Sequence, residues 1–313
     1  MTRLAIVNRH ARGARGRARL AEIIACLDDQ GIAHRQIPDS HHVDAVRTAL
    51  AGLRSSDCVI ALGGDGTVNA LLPAVLRSRA TLAVYPMGTQ NNLARRVGMP
   101  EDLQAFTDIL GRGEVRKLGL GSINGRPFAT LVSIGAGSVA ARLTHLFRRP
   151  LGLVRRVWPG GLTWLPFVCA VAFYRMQRLK VMATPAQGAG AAPPAESLIV
   201  PTLWASALDE TNRGMRTTEL NGLDRQSLAV TLGISFARLE LLTGYQQIFQ
   251  HGRWSHPVRG LRAFDAARLT VRSIGSEPLT AYGDGEVLVT ATSFEIACLP
   301  SALDILVSPD LQA

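Results

Sequence analysis

Three short stretches of this sequence combine residue types that can bring phosphate, a divalent cation and a proton acceptor together. The first is VIALGGDGTVNALL, Val59 to Leu72, where an apolar run enters Gly63, Gly64, Asp65, Gly66 and Thr67, then a helical pattern that holds Asn69. Glycine lacks a Cβ, so phosphate oxygens can approach the backbone, and the N–H groups at a helix start favour negative charge. Asp65 supplies a carboxylate where a hydrated magnesium ion would sit. A tight strand-to-helix turn with a solvated Asp is the plainer alternative, but the pattern is longer than a lone glycine pair.

The second stretch, YPMGTQNNLARRVGMP, sets Gly88, Thr89, Asn91 and Asn92 between an apolar run and a short helical pattern, Leu93 to Val97. In open parallel sheets ligands bind beyond the carboxyl ends of the strands, so two successive loops of this kind can converge on one nucleotide. Thr89 serving only as a helix N-cap is the alternative. The third stretch, LTAYGDGEVLVT, places Gly283, Asp284, Gly285 and Glu286 between two alternating apolar runs. By itself Asp-Gly there signals a hairpin turn. Transfer of a phosphoryl group to an alcohol benefits from one carboxylate as base and another near metal, and Asp284 with Glu286 offers that pair.

The elements around these stretches alternate. Leu4–Val7, Ala33–Ile37, Cys58–Leu62 and Leu82–Tyr85 read as strands, and 17–27, 43–53 and 68–76 as helices, which predicts a parallel sheet covered by helices. Beyond about residue 120 the pattern becomes β-rich, with strands expected at 128–134, 197–204, 228–234, 268–274 and 294–299. The expected architecture is an α/β N-terminal domain, residues 1–122 joined by 300–313, and a β-rich, sandwich-like second domain, 123–299. The Gly/Pro-rich segment 187–195 reads as a connection between strands.

The whole chain, 313 residues with 47% hydrophobic content, can bury two compact cores. Its formal net charge of +10 favours an anionic partner without saying whether that is a lipid headgroup, a nucleotide or a nucleic acid. Cys26, Cys58, Cys169 and Cys298 show no CxxC pairing, which points to reduced thiols and a cytoplasmic setting. The apolar start is shorter than the roughly 7–15 residues of a signal-peptide core, so no secretion is expected.

GGDGTVN, PMGTQNNLAR and the late GDGE, in that order, resemble the bacterial diacylglycerol kinase catalytic-domain family of soluble lipid kinases, and the likeness covers nearly the whole chain. FATLVSIGAG, 128–137, resembles the strand that opens that family's second domain, and IACLPSALDILVSP its closing segment. The resemblance implies ATP and magnesium, two domains with ATP in the cleft, and phosphorylation of a lipid alcohol, with diacylglycerol as the default acceptor. It places Asn8, Gly63 to Thr67, Asn69, Gly88, Thr89, Asn91 and Asn92 around the nucleotide, with Asp65 near magnesium. Asp284 becomes the base for the lipid hydroxyl, and Glu286 either binds metal or shares that role.

Departures from the family pattern include Arg9, where the usual partner of Asn8 is Pro, and Asn92, where many members carry Asp. ELNGLDRQS, 219–227, matches the loop that holds a structural magnesium in some members only loosely. Asp65→Asn and Asp284→Asn are each expected to cost activity far more than folding.

The segment 146–180 puts Arg148, Arg149, Arg155 and Arg156 before an apolar stretch and Arg175, Arg178 and Lys180 after it. The uncharged 160–174 stretch falls short of the roughly 20 apolar residues of a spanning helix, while Trp158 and Trp164 suit a headgroup boundary, so peripheral docking on an anionic membrane surface is expected. A core helix flanked by solvated arginines is the alternative. Other acceptors consistent with the motifs are a ceramide, a sphingoid base, phosphatidylglycerol or NAD, and a non-catalytic lipid or nucleotide sensor is the reading from another class. A nucleic-acid partner is not expected, because no stacking-aromatic platform accompanies the arginines.

Overall fold

The computed structural model describes residues 2–8, 13–37, 43–88, 90–147, 161–186, 193–208, 210–211, 215–216, 222–251, 259–275 and 277–311. The chain divides into two compact units. Unit 1 holds Met1–Leu120, Gly222–Arg225 and Pro300–Ala313, and unit 2 holds Gly121–Asn221 and Gln226–Leu299.

Unit 1 follows the strand–helix alternation of its sequence: β1 (Arg3–Asn8), α1 (Gly13–Asp29), β2 (Ala33–Ile37), α2 (Val43–Ala49), β3 (Cys58–Gly63), α3 (Asp65–Ser78), β4 (Thr81–Pro86), α4 (Asn92–Arg96), α5 (Leu103–Arg112) and β5 (Glu114–Ile123), the last running on into unit 2. The strands pair in the order β2-β1-β3-β4, all parallel, with Leu4 opposite Val59 and Val59 opposite Leu82. β3 and β4 are buried along their whole length, which explains why they read as continuous apolar runs rather than as alternation. The expected helix at 43–53 stops at Ala49. The helix at 17–27 is longer than expected, from Gly13 to Asp29. Helix α5 had no sequence-based expectation; Asp102 caps it by accepting from Ala105 N–H at 2.9 Å, and Phe106 packs on Tyr85 with ring centroids 4.9 Å apart.

Unit 2 contains β6 (Arg126–Phe128), β7 (Leu131–Gly135), α6 (Ala136–Phe147), α7 (Gly161–Phe173), β8 (Leu179–Thr184), β9 (Leu198–Val200), β10 (Thr202–Ser206), β11 (Glu210–Thr211), β12 (Met215–Arg216), β13 (Leu228–Gly233), α8 (Arg238–His251), β14 (Leu261–Ala266), β15 (Arg268–Ser273), β16 (Leu279–Gly283), β17 (Glu286–Ala291) and β18 (Ser293–Val307), whose last residues return to unit 1. Six strands form an antiparallel sheet in the order β14-β13-β10-β7-β16-β17. A second antiparallel layer pairs β18, β15, β8 and β9. Val132, Ile134, Leu203 and Val230 of the first sheet share one buried core with Val181, Leu269, Val271 and Phe294 of the second. A β-sandwich is the result, built because each layer is apolar on one face.

Two expected strands are split, each for a backbone reason. Residues 197–204 break at Pro201, which has no N–H for a ladder. Residues 128–134 break after Phe128, because the N–H groups of Ala129 and Thr130 donate to a side chain instead of a neighbouring strand. The last strand, expected to end at 299, continues through Ser301, which takes φ +49° and gives its N–H to Asp224.

The apolar stretch read as a docking segment is, in its described part, helix α7. Its Phe167, Ala170 and Val171 are buried against Trp204, Leu241 and Tyr245, and the Phe167 and Tyr245 rings stack at 3.7 Å. No helix among the described residues is long and apolar enough to cross a membrane. Arg148, Arg149, Arg155, Arg156 and Trp158 lie outside the described residues, as does 187–192 of the Gly/Pro-rich segment. None of the four cysteines forms a disulfide, and burial pushes the Cys58 thiol up to about 11, which keeps it protonated and unreactive at neutral pH.

Candidate functional site

In unit 1 the first two chemistry-bearing loops follow adjacent strands, β3 and β4, and meet through their glycines. A Cβ on Gly64 would stand 2.9 Å from the Gly88 Cα, and one on Gly88 would stand 2.6 Å from the Gly64 Cα and 2.5 Å from Asn91 Oδ1. No other residue permits that approach. Met87 N–H donates to Gly63 O at 2.9 Å, which ties the two loops by backbone as well. A Cβ on Gly63 would strike the Thr67 side chain at 2.3 Å, so this glycine lets the first turn of α3 fold back on the strand end.

Several predicted residues hold these loops in shape. Asn8, at the end of β1, donates from Nδ2 to Thr67 Oγ1 at 2.9 Å in a buried contact, bringing a third strand end into the cluster. Asn91 adopts the left-handed region at φ +50°, which Asn tolerates better than most residues. Its Oδ1 accepts from Gly88 N–H at 2.7 Å, and its Nδ2 donates to Gly88 O at 3.2 Å. This amide therefore fixes the β4–α4 turn, a role the sequence reading missed although the residue type carries the signal. Asn92 Oδ1 accepts from the Arg95 guanidinium at 2.8 Å. Asn69 is buried in α3, and Thr89 and Arg9 lie outside the described residues.

Gly64 is the N-cap residue of α3 and offers no side-chain cap, so the positive end of a 14-residue helix opens at the place where the glycine loops meet. Asp65 begins that helix, and its Oδ1 accepts from Leu93 N–H at 3.2 Å, capping α4 across the two loops. The arrangement can receive an anion at the backbone and hold a cation at the carboxylate. Among the described residues no cluster of three or more His, Cys, Asp or Glu forms a closed cage for a metal.

The third stretch lies in unit 2. Asp284 and Gly285 are the two central residues of the β16–β17 hairpin, at φ +50° and +87°, and Gly283 pairs with Glu286 across it. Both central residues at positive φ make the type I′ turn that Asp-Gly favours. Gly283 brings the turn against β7, because a Cβ there would meet Leu131 O at 2.4 Å. Asp284 then reaches back to the break between β6 and β7. Its Oδ2 accepts from Ala129 N–H at 2.7 Å. Its Oδ1 accepts from Thr130 N–H at 3.0 Å, from Leu131 N–H at 3.2 Å and from the Thr130 hydroxyl. The carboxylate is buried at 6% exposure and accepts from each of these donors.

Glu286 is 11% exposed and pairs with the Arg126 guanidinium at 2.9 Å, while Arg126 also donates to Leu288 O at 2.8 Å. Arg126 was not expected at the site, and only its distance from Glu286 in the fold reveals it. In the loop matched loosely to a structural-metal segment, Asp224 accepts from the backbone N–H and the hydroxyl of Ser301, both at 2.5 Å. That carboxylate serves as a clasp on β18.

Residues 2–123 match the family model described as diacylglycerol kinase catalytic domain. A diacylglycerol kinase of Bacillus subtilis (strain 168) is 35% identical over 130 residues, 40% of this chain and 42% of that relative. One of Staphylococcus saprophyticus is 29% identical over 119 residues, 37% of this chain and 39% of the relative. The chain thus spans about two fifths of the length of the curated relatives it matches. A crystal structure of a diacylglycerol kinase from Bacillus anthracis str. Sterne superposes with a TM-score of 0.68, covering 99% of this chain and 98% of that one at 16% identity, which establishes a shared fold.

Proposed function

We propose that this chain, whose residues 2–123 belong to the diacylglycerol kinase catalytic domain family, is a lipid kinase that transfers the γ-phosphoryl group of ATP to the hydroxyl of a lipid alcohol, with diacylglycerol as the first candidate. The observation that carries this reading is the backbone-to-backbone approach of Gly64 and Gly88 beneath the N-terminus of α3, with Asp65 at its first residue. Phosphates fit that cradle because N–H groups and a helix dipole meet them where no side chain intrudes. In unit 1 Asp65 would hold magnesium, which when bound offsets the charge of the phosphates, and in unit 2 Glu286 is the other carboxylate proposed for metal.

The residues of this chain supply position and proton handling. Gly63 to Thr67, Asn69, Gly88 and Asn92 would line the triphosphate, with Thr89 a further candidate from its sequence position, while Asn8 and Asn91 keep the loops in register. Asp284 orients the acceptor hydroxyl through a hydrogen bond and takes its proton. A loose phosphoryl-transfer transition state asks for orientation before deprotonation. Among the donors described above, the Thr130 hydroxyl turns about a single bond, so it is one that a substrate hydroxyl can displace. Glu286, fixed by Arg126, sits two residues on.

A non-catalytic reading is favoured by the same cage, since a carboxylate that closes a strand break has a structural role of its own. Incubating the protein with labelled ATP, magnesium and a panel of acceptors decides the matter. Label in phosphatidic acid, or in phosphorylated ceramide, sphingoid base or phosphatidylglycerol, names the substrate; label in NADP from NAD, or in nothing, overturns the lipid-kinase reading. A second test addresses the cradle. Gly88→Ala forces the loops apart and is expected to weaken ATP binding at least about tenfold by calorimetry, and wild-type affinity in that variant would remove the phosphates from this place.

A further inference from the structure

Unit 2 leaves large apolar side chains in solvent at one end. Phe173 is 85% exposed and Leu239 73%, and Ile234, Phe236 and Ile274 are exposed beside them. Three contacts show that these residues, far apart in sequence, share one tip. Arg238 donates to Ala172 O, joining the end of α7 to the start of α8 and setting Phe173 and Leu239 on either side of that bond. Ile274 N–H donates to Arg178 O at 2.9 Å, bringing in the end of β15. The Arg178 guanidinium lies 5.9 Å from the centre of the Phe236 ring.

The rim of the tip is basic. Arg175, Arg178 and Arg238 are all exposed. The acidic groups facing them are Glu277, which accepts from Gln177 at 3.4 Å, and Glu240, which pairs with Arg259 at 3.2 Å. Among the described residues, these three arginines outnumber the two carboxylates. Apolar side chains ringed by guanidinium groups match an anionic bilayer, where the former enter the acyl boundary and the latter meet lipid phosphates.

We propose that this tip, at the α7–β8 connection, the β13–α8 connection and the end of β15, inserts into the surface of an anionic lipid bilayer. The proposal rests on the lipid-kinase reading only in that a lipid acceptor gives the surface a purpose. It replaces a docking segment read along one stretch of sequence with a surface drawn from three.

Sedimentation of the full chain with vesicles tests it, using phosphatidylcholine alone and phosphatidylcholine with phosphatidylglycerol. The protein is expected to sediment with the anionic vesicles, and the double variant Phe173→Glu, Leu239→Glu to partition at least about tenfold less. Because both side chains point into solvent, the denaturation midpoint should hold, and so should transfer to a short-chain lipid alcohol present as monomers. Arg175→Glu with Arg178→Glu should weaken binding to anionic vesicles selectively. Undiminished sedimentation of the double glutamate variant overturns the proposal, as does a change in its oligomeric state with vesicle binding intact, which would make the tip a self-association surface. Loss of lipid phosphorylation with vesicle binding preserved would instead count against the kinase reading alone.

Discussion

Asp284→Asn is expected to lower stability and abolish phosphoryl transfer together. An amide in place of the carboxylate keeps only one acceptor oxygen. If that oxygen stays with Thr130 and Leu131, the new NH2 faces the Ala129 N–H, donor against donor, in a buried place. A buried donor left without an acceptor costs about 1–3 kcal/mol, and the remaining bonds lose their charge assistance, so a total of about 2–4 kcal/mol is expected. The backbone is not the cause, because Asn accepts φ +50° as readily as Asp does. Equilibrium denaturation alongside a transfer assay measures both effects. This revises the expectation from sequence that activity alone would suffer, and an unchanged midpoint would mean that the cage does not hold β6 and β7 as described.

Asp65→Asn should behave in the opposite manner. The amide oxygen that replaces the carboxylate can still accept from Leu93 N–H, so the α4 cap survives and the midpoint should move by less than about 1 kcal/mol. The negative charge is lost. Where a site acts by electrostatic stabilisation, removal of one such group lowers turnover on the order of 10²–10³-fold. A variant that retains more than about a tenth of wild-type turnover would take Asp65 out of the metal and phosphate chemistry. The expected contrast between these two substitutions is one that costs stability and turnover together and one that costs turnover with little stability.

Much of unit 1 was legible because its signals are local. Val59 to Leu62 reads as a buried parallel strand from residue type alone, and Gly63 and Gly64 announce a turn that admits close approach. Pro201 carried the break in its strand openly, although a continuous run was expected. The break after Phe128 carried no such mark. Its cause is a carboxylate 154 to 155 positions further along the chain, and the donors are backbone N–H groups that any residue would offer. For the same reason the clasp of Asp224 on Ser301 and the pairing of Arg126 with Glu286 were invisible, since contacts across 77 and 160 positions leave no periodicity.

The membrane reading shows the same limit from another side. Composition pointed to 146–180, yet the described part of that stretch buries Phe167 and Val171 in the core and leaves Phe173 outside. Helical amphipathicity decides which side chain faces which way, and a window that is apolar all round does not reveal it. Ile234, Leu239 and Ile274 join Phe173 only through tertiary contacts.

Transfer of labelled phosphate from ATP to diacylglycerol by wild type, Asp65→Asn and Asp284→Asn, with and without magnesium, bears most directly on the account. The predicted result is magnesium-dependent labelling of phosphatidic acid by the wild type and its loss in both variants, with only the Asp284 variant also unfolding earlier. Absence of labelled lipid from the wild type across the acceptor panel, or full labelling by either variant, would contradict it.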